Sequence, residues 1–328
     1  MVLKAGGERN VDYMRISVTD RCNFRCSYCM PQEGIECKPR EEIMNYEDII
    51  KVARIAAEEG ISTFRITGGE PLVRIGLENL IAKINSLSNC EEITMTTNGY
   101  LLAEKAENLI EAGLDRVNIS LDTLEPEKFE EITGVDGLEQ VLAGIETAKN
   151  MDLTPVKINV VVMKDVNDQE INDFVQFALE ENVHVRFIEY MPFNEEDKGE
   201  ATIGNSRLVS VKTIKDTLKS DFNLKPEKIT GSGPAQTYSI NGSNATVGFI
   251  SPLSHNICQS CNRLRLTADG FLRPCLSRQL ELNLYENQNI KSRMEIRGII
   301  RQSALKKPMN NDFAAACKKD RNMSQIGG

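Results

Sequence analysis

The feature that most constrains this chain is a series of strand-like runs that alternate with helix-like ones, each strand carrying opposite chemistry on its two faces. Strand-like runs at 14–19, 64–67, 93–97, 116–122, 155–163 and 184–190 are separated by helical patterns near 46–59, 77–87, 102–112, 138–150 and 168–181. Six βα units in series imply a parallel sheet, which right-handed crossovers wind into a barrel-like arc. The expected class is α/β, a partial (β/α)6 TIM-type barrel.

Buried parallel strands normally read as unbroken apolar runs, and these do not. One parity gives Arg15, Ser17 and Thr19, then Arg65 and Thr67, then Thr94, Thr96 and Asn98, then Asn118, Ser120 and Asp122, then Lys157 and Asn159. The other parity is Ile, Val, Leu, Phe or Met throughout. Successive side chains point to opposite faces of a strand, so an apolar face packs on helices and a polar face lines the middle of the arc. A closed eight-stranded barrel fills that middle with branched apolar side chains. A six-stranded arc with a polar lining is expected to hold water and a hydrophilic ligand, and an unpartnered Arg or Lys there favours an anionic one.

At 328 residues the chain is long enough for one large domain with an appendage. Lys and Arg number 39 against 48 Asp and Glu, a net charge of −9 that argues against a nucleic-acid surface. Much of the acidic excess reads as solvated helix face, for example Glu104, Glu107 and Glu111. No stretch of 18 apolar residues suggests a membrane span. The N-terminus lacks a secretory or transit pattern, so the nine cysteines read as reduced thiols or metal ligands in a cytoplasmic protein.

Cysteines provide the strongest chemical signal. Cys22, Cys26 and Cys29 follow the first strand with C-x3-C-x2-C spacing, and Tyr28 directly precedes the last. Fe–S clusters are ordinarily held by four cysteines. Three thiolates on a [4Fe–4S] cube leave one iron open, and S-adenosylmethionine bound there can receive an electron and yield a carbon radical. The alternative is structural zinc with Cys37 as fourth ligand, which the close packing of the three cysteines fits poorly. A second trio, Cys258-x2-Cys261-x13-Cys275, has His255 three residues upstream. Its spacing alone leaves cluster and zinc ligation equally open.

Thr67-Gly68-Gly69-Glu70-Pro71 directly follows the second strand, and its glycines allow close backbone approach to a ligand. With the first cysteine trio, this segment resembles the radical S-adenosylmethionine enzymes. The closer resemblance is to the GTP 3′,8-cyclase family of molybdenum cofactor biosynthesis. It rests on 15–26 (RISVTDRCNFRC), 96–99 (TTNG), 120–122 (SLD), 186–192 (RFIEYMP), 258–266 (CQSCNRLRL) and the terminal Gly327-Gly328.

The resemblance implies a radical S-adenosylmethionine core over 1–210 and a C-terminal cluster- and GTP-binding extension over 211–328. It implies two [4Fe–4S] clusters, on Cys22/Cys26/Cys29 and on Cys258/Cys261/Cys275, the second meeting the guanine of GTP. Tyr28, Gly69, Ser120 and Met191 match positions contacting S-adenosylmethionine. Arg15, Arg65, Thr96, Lys157, Arg263 and Arg265 match positions contacting GTP, and guanidiniums suit phosphate oxygens. The double-glycine end, Gly327 and Gly328, is expected to reach the active site beside Arg15, Arg263 and Arg265, a catalytic group by resemblance. The implied reaction is a lyase-type conversion of GTP to (8S)-3′,8-cyclo-7,8-dihydroguanosine 5′-triphosphate. Implied partners are an electron donor and the next pathway enzyme, cyclic pyranopterin monophosphate synthase, and a homodimer is compatible with the sequence. The rivals are a radical enzyme with an auxiliary cluster acting on a peptide, and a zinc-stabilised binding protein. The 194–205 stretch reads as a loop or linker, and 220–244 carries few anchors for assigning contacts.

Overall fold

Alternate apolar positions decide which face of each strand meets the helices. In the computed structural model, which describes residues 2–6, 9–31, 33–191, 207–227, 233–255, 257–310 and 321–327, β1 (Tyr13–Ser17) buries Met14 and Ile16 completely. The pattern continues through β2 (Thr63–Thr67), β3 (Glu92–Thr97), β4 (Arg116–Ser120), β5 (Lys157–Val162) and β6 (His184–Glu189), with Ile66, Met95, Val117, Ile158 and Phe187 sealed in one core. Gly328, Cys317 and 194–205 lie outside the described residues.

The helices supply the complementary apolar stripes. In α1 (Tyr46–Glu58), Asn45 caps the start by accepting from the Asp48 amide, and Ile49, Val52, Ala53 and Ala56 recur at helical spacing on the buried side. Next come α2 (Leu77–Asn85) and α3 (Leu102–Glu111). A short α4 (Pro126–Thr133), absent from the sequence expectation, starts on proline and stops at the left-handed Gly134 before α5 (Leu138–Asn150). The helix expected from 168 begins as a 3-10 turn, Asp168–Glu170, and becomes α6 at Ile171–Glu181. Among the described residues, no helix is long and apolar enough to cross a membrane.

The C-terminal third joins the same sheet. After α7 (Val211–Leu218) come β7 (Leu224–Pro226), β8 (Gln236–Ile240), β9 (Thr246–Ile250), β10 (Arg263–Leu266), β11 (Phe271–Arg273) and β12 (Leu282–Asn283). The twelve strands run in the order β12-β11-β10-β1-β2-β3-β4-β5-β6-β9-β8-β7. β9 is parallel to β6 and β10 is parallel to β1. Both edges of the six-stranded arc are thereby paired rather than exposed. Among the described residues the last α-helix, α8 (Arg293–Leu305), opens on a Ser292/Glu295 capping box and buries Ile296, Ile300 and Ala304. It is tied to α1 by Arg297 and Arg301 on Glu59.

Candidate active site

Strand register places the two cysteine trios at opposite ends of the arc. Cys22, Cys26 and Cys29 lie beyond Ser17, the C-terminal end of β1. Cys261 stands two residues before β10, whose Arg263 is opposite Tyr13 at the start of β1. Antiparallel β11 pairs Arg273 with Arg265 and delivers Cys275 two residues later to that same end. A chamber of about 590 Å³ runs between, and all six thiols line it.

At the upper end, the Gly68-Gly69 turn is required by backbone rather than by ligand proximity alone. A Cβ on Gly69 would sit 2.4 Å from the Arg21 carbonyl oxygen, and one on Gly68 2.8 Å from that of Thr19. The two segments are stitched by Gly69 N–H to Thr19 O at 2.7 Å and Glu70 N–H to Arg21 O at 2.8 Å. The buried Glu70 carboxylate accepts from Leu72 N–H, Thr97 Oγ1 and Asn98 N–H, fixing the turn against the end of β3. Burial raises its pKa to about 7 despite these donors.

Tyr28 donates its phenol to Asp122 Oδ2 at 2.8 Å, and Asp122 Oδ1 accepts from Val161 N–H. Tyr28, Gly69, Ser120 and Met191 all line the chamber. They gather at the C-terminal ends of β1, β2, β4 and β6.

Burial pushes the Cys22 thiol up to about 11 and Cys29 up to about 12, and Cys26 well above its usual range. Thiolates in such surroundings need a strong positive charge, which the irons of a cluster supply. The second trio differs. Burial also opposes ionisation at Cys261, yet Arg263 and Lys307 bring its pKa down to about 6. Among the described residues no three His, Cys, Asp or Glu side chains converge as a single metal ion requires. Three cysteines on a cube bind three different irons, so both trios suit a cluster better than they suit zinc, whose ligands meet at one point. His255 is exposed, and the chamber lining does not include it.

Between the trios runs a belt of cations. Arg265, Arg15 and Arg65 stand side by side on β10, β1 and β2, followed in register by Thr94 and Arg116. Lys157 and Arg186 continue the belt from β5 and β6, and Thr96 receives a hydrogen bond from Arg65 Nη1. Burial and then the neighbouring guanidiniums lower these pKa values: Lys157 to about 7, Arg186 to about 9 and Arg265 to about 10. Arg186 Nε and Nη2 and Arg65 Nε are buried without a hydrogen-bond partner. Crowded cations with unsatisfied donors are arranged for a polyanion.

The chain end returns to this belt. Arg321 is pinned by Asp269 and Glu281, a 3-10 turn at Met323–Gln325 follows, and buried Gly327 accepts from Arg265 Nη1 at 2.7 Å. With φ of +71° and Thr67 Cγ2 3.0 Å from where a Cβ would be, Gly327 occupies a place suited to glycine.

The family comparisons agree with this geometry. Residues 16–178 match the model described as the radical SAM superfamily, and 183–321 match that described as Molybdenum Cofactor Synthesis C. A GTP 3′,8-cyclase from Petrotoga mobilis is 45% identical, with 98% of each chain covered. One from Peptoclostridium acidaminophilum is 44% identical over 100% of this chain and 98% of its own. The chain belongs to the GTP 3′,8-cyclase family. This GTP 3′,8-cyclase family member is therefore a radical SAM enzyme, a class that uses S-adenosylmethionine and an iron–sulfur cluster. Among solved structures, anSMEcpe with bound AdoMet is similar at TM-score 0.60 and 17% identity, covering 96% of this chain and 83% of its own. Streptococcus suis SuiB bound to precursor peptide SuiA gives 0.57 and 17%, covering 94% and 67%. These last two likenesses concern the fold.

In this family member, apart from Gly327, which meets Arg265, and the alternative ligands Cys37 and His255, the described site positions named from sequence line this one chamber. Sequence reasoning left out Arg186, although it continues the polar parity on β6. It also left out Glu227, Pro234 and Thr237, which line the chamber from 220–244. That segment's local sequence carries no repeat or motif to announce them.

Proposed function

We propose that this chain converts GTP to (8S)-3′,8-cyclo-7,8-dihydroguanosine 5′-triphosphate in the chamber between the two trios, the first step of molybdenum cofactor biosynthesis. The observation that carries the reading is the mid-strand cation belt, buried and incompletely satisfied, with one thiol trio above it and one below. Residues 1–210 act as the radical domain and 211–328 as the second-cluster and substrate-binding extension.

Cys22, Cys26 and Cys29 hold one [4Fe–4S] cluster and Cys258, Cys261 and Cys275 a second. When bound, the first cluster and S-adenosylmethionine supply a 5′-deoxyadenosyl radical able to take the ribose H3′ of GTP. The protein's own work is placement. Tyr28, Gly69, Ser120 and Met191 form the S-adenosylmethionine wall, where Asp122 holds the Tyr28 hydroxyl proton in a fixed direction. Arg15, Arg65, Lys157 and Arg186 take the triphosphate oxygens through charge-assisted bonds, with Thr96 orienting Arg65. Arg263 and Arg265 hold GTP at the lower end beside the second trio. Arg265 at the same time seats Gly327, which brings the chain end beside the cation belt. An external electron donor would supply one electron for cofactor cleavage and a second that, with a proton, completes the cyclised product, which would pass to cyclic pyranopterin monophosphate synthase.

The test incubates anaerobically reconstituted protein with S-adenosylmethionine, reductant and each ribonucleoside triphosphate in turn. GTP loss matched by 5′-deoxyadenosine formation is expected. Deoxyadenosine without GTP consumption would favour the peptide-modifying rival. Iron and sulfide analysis should give about eight of each per chain for two cubes; about one zinc per site and no sulfide would end the radical reading.

A further inference from the structure

Behind the second trio, on the side away from the chamber lining, lies a buried lysine. Lys307, only 5% exposed, follows α8 and is 46 residues from Cys261 in sequence. Its Nζ donates to Cys261 Sγ at 3.4 Å, to Arg263 O at 2.5 Å and to Pro274 O at 2.9 Å. An ammonium has three protons, and these three acceptors use all of them. Each acceptor belongs to a piece that carries the site: Cys261 itself, the first residue of β10, and the residue before Cys275. The backbone of Lys307 is held in turn by Arg9, whose Nη2 donates to Lys307 O at 3.2 Å while its Nη1 donates to Cys258 O. One buried ammonium and one guanidinium thus touch, directly or through a neighbour, all three cysteine segments.

Two carbonyls would be satisfied by any neutral donor. Burying an ammonium is costly unless a negative group compensates it, and the acceptor here that can carry a full charge is the Cys261 sulfur. We propose that Lys307 is a positioning residue that tunes the metal group of the second trio, by giving Cys261 Sγ a charged hydrogen bond from outside the chamber. This rests on the two-cluster reading above. Hydrogen bonds to sulfur and local net charge are among the factors that set an Fe–S potential, and partners behind a ligand tune the metal it binds. Lys307 therefore makes the second cluster easier to reduce than its ligand set alone would.

The experiment is an anaerobic redox titration of the reconstituted full chain, followed by electron paramagnetic resonance, for the wild type, Lys307→Met and Lys307→Arg. The expected result is a shift of the second cluster to a more negative midpoint in Lys307→Met, a smaller shift in Lys307→Arg, and no movement of the N-terminal cluster. An unmoved second midpoint in Lys307→Met would overturn the proposal. So would loss of the second cluster from both variants together with a lowered melting temperature, because that outcome assigns Lys307 a structural role alone. A wild type with about four irons per chain would instead defeat the two-cluster reading before Lys307 is tested.

Discussion

Burial raises the pKa of each thiol in the upper trio, and nearby Glu70 (at Cys22) and Asp122 (at Cys26 and Cys29) add to the rise. The lower trio is buried as well, yet Arg263 and Lys307 pull Cys261 down to about 6. Both trios offer three cysteines to one chamber. What differs is the second layer, acidic above and basic below. Net charge and hydrogen bonding move cluster potentials, so the two-cluster reading proposed above expects unequal potentials from equal ligand sets.

The largest test of that contrast removes one thiol from each end. Cys26→Ala should abolish 5′-deoxyadenosine formation altogether. Cys261→Ala should leave cofactor cleavage measurable while GTP cyclisation is lost. Equal loss of both activities in both variants would break the comparison.

Next come the cations. Arg263→Ala and Arg186→Ala each delete a charged contact, worth about 1.5–3 kcal/mol, so GTP should bind roughly 10- to 150-fold more weakly by calorimetry. Both variants should retain their full iron and sulfide. Unchanged affinity in either would remove that residue from the binding belt.

Gly69→Ala sharpens the upper half of the comparison. Its Cβ would strike the Arg21 and Asp20 carbonyl oxygens, and overpacking of this kind costs about 1–3 kcal/mol. A lower melting temperature and weaker S-adenosylmethionine binding are expected, with the second cluster's spectrum unchanged. A disturbed second cluster would mean that the two ends are mechanically linked.

The smallest effect concerns pH. Burial, with Arg116, Arg186 and Arg65 nearby, lowers Lys157 to about 7, so it is charged below that pH and neutral above it in the free protein. The charged form attracts phosphate. GTP affinity should therefore level off below about pH 6 and fall by up to about tenfold towards pH 8, one charged contact being worth about 1.5 kcal/mol. Binding above pH 7 should take up a proton, seen as a buffer-dependent heat. A Lys157→Met protein that keeps the same slope would place the titrating group elsewhere.

Much of the arc was legible because its signals are local. The alternation of Arg15-Ile16-Ser17 or Asn118-Ile119-Ser120 names the face each residue occupies, whatever its neighbours. The Asn45 and Ser292 caps are equally local, acting three residues away, but neither they nor α8 were read from the sequence. α4 was missed because its apolar pattern spans barely two turns between two longer elements. The glycines of the Gly68-Gly69 turn were noticed, but their tight contact with 19–21 involves a segment almost fifty residues earlier.

Sequence alone determined the βα order, the polar parity of the strands, the two cysteine trios and, through its motifs, the family. Tertiary structure decided that β10 lies beside β1 and β9 beside β6, and so put the trios at opposite ends of one chamber. It also brought Lys307 behind Cys261 and Gly327 onto Arg265. The physical reason is range: periodicity and capping act over a few residues, whereas strand pairing and buried charge join positions that only the folded chain makes neighbours.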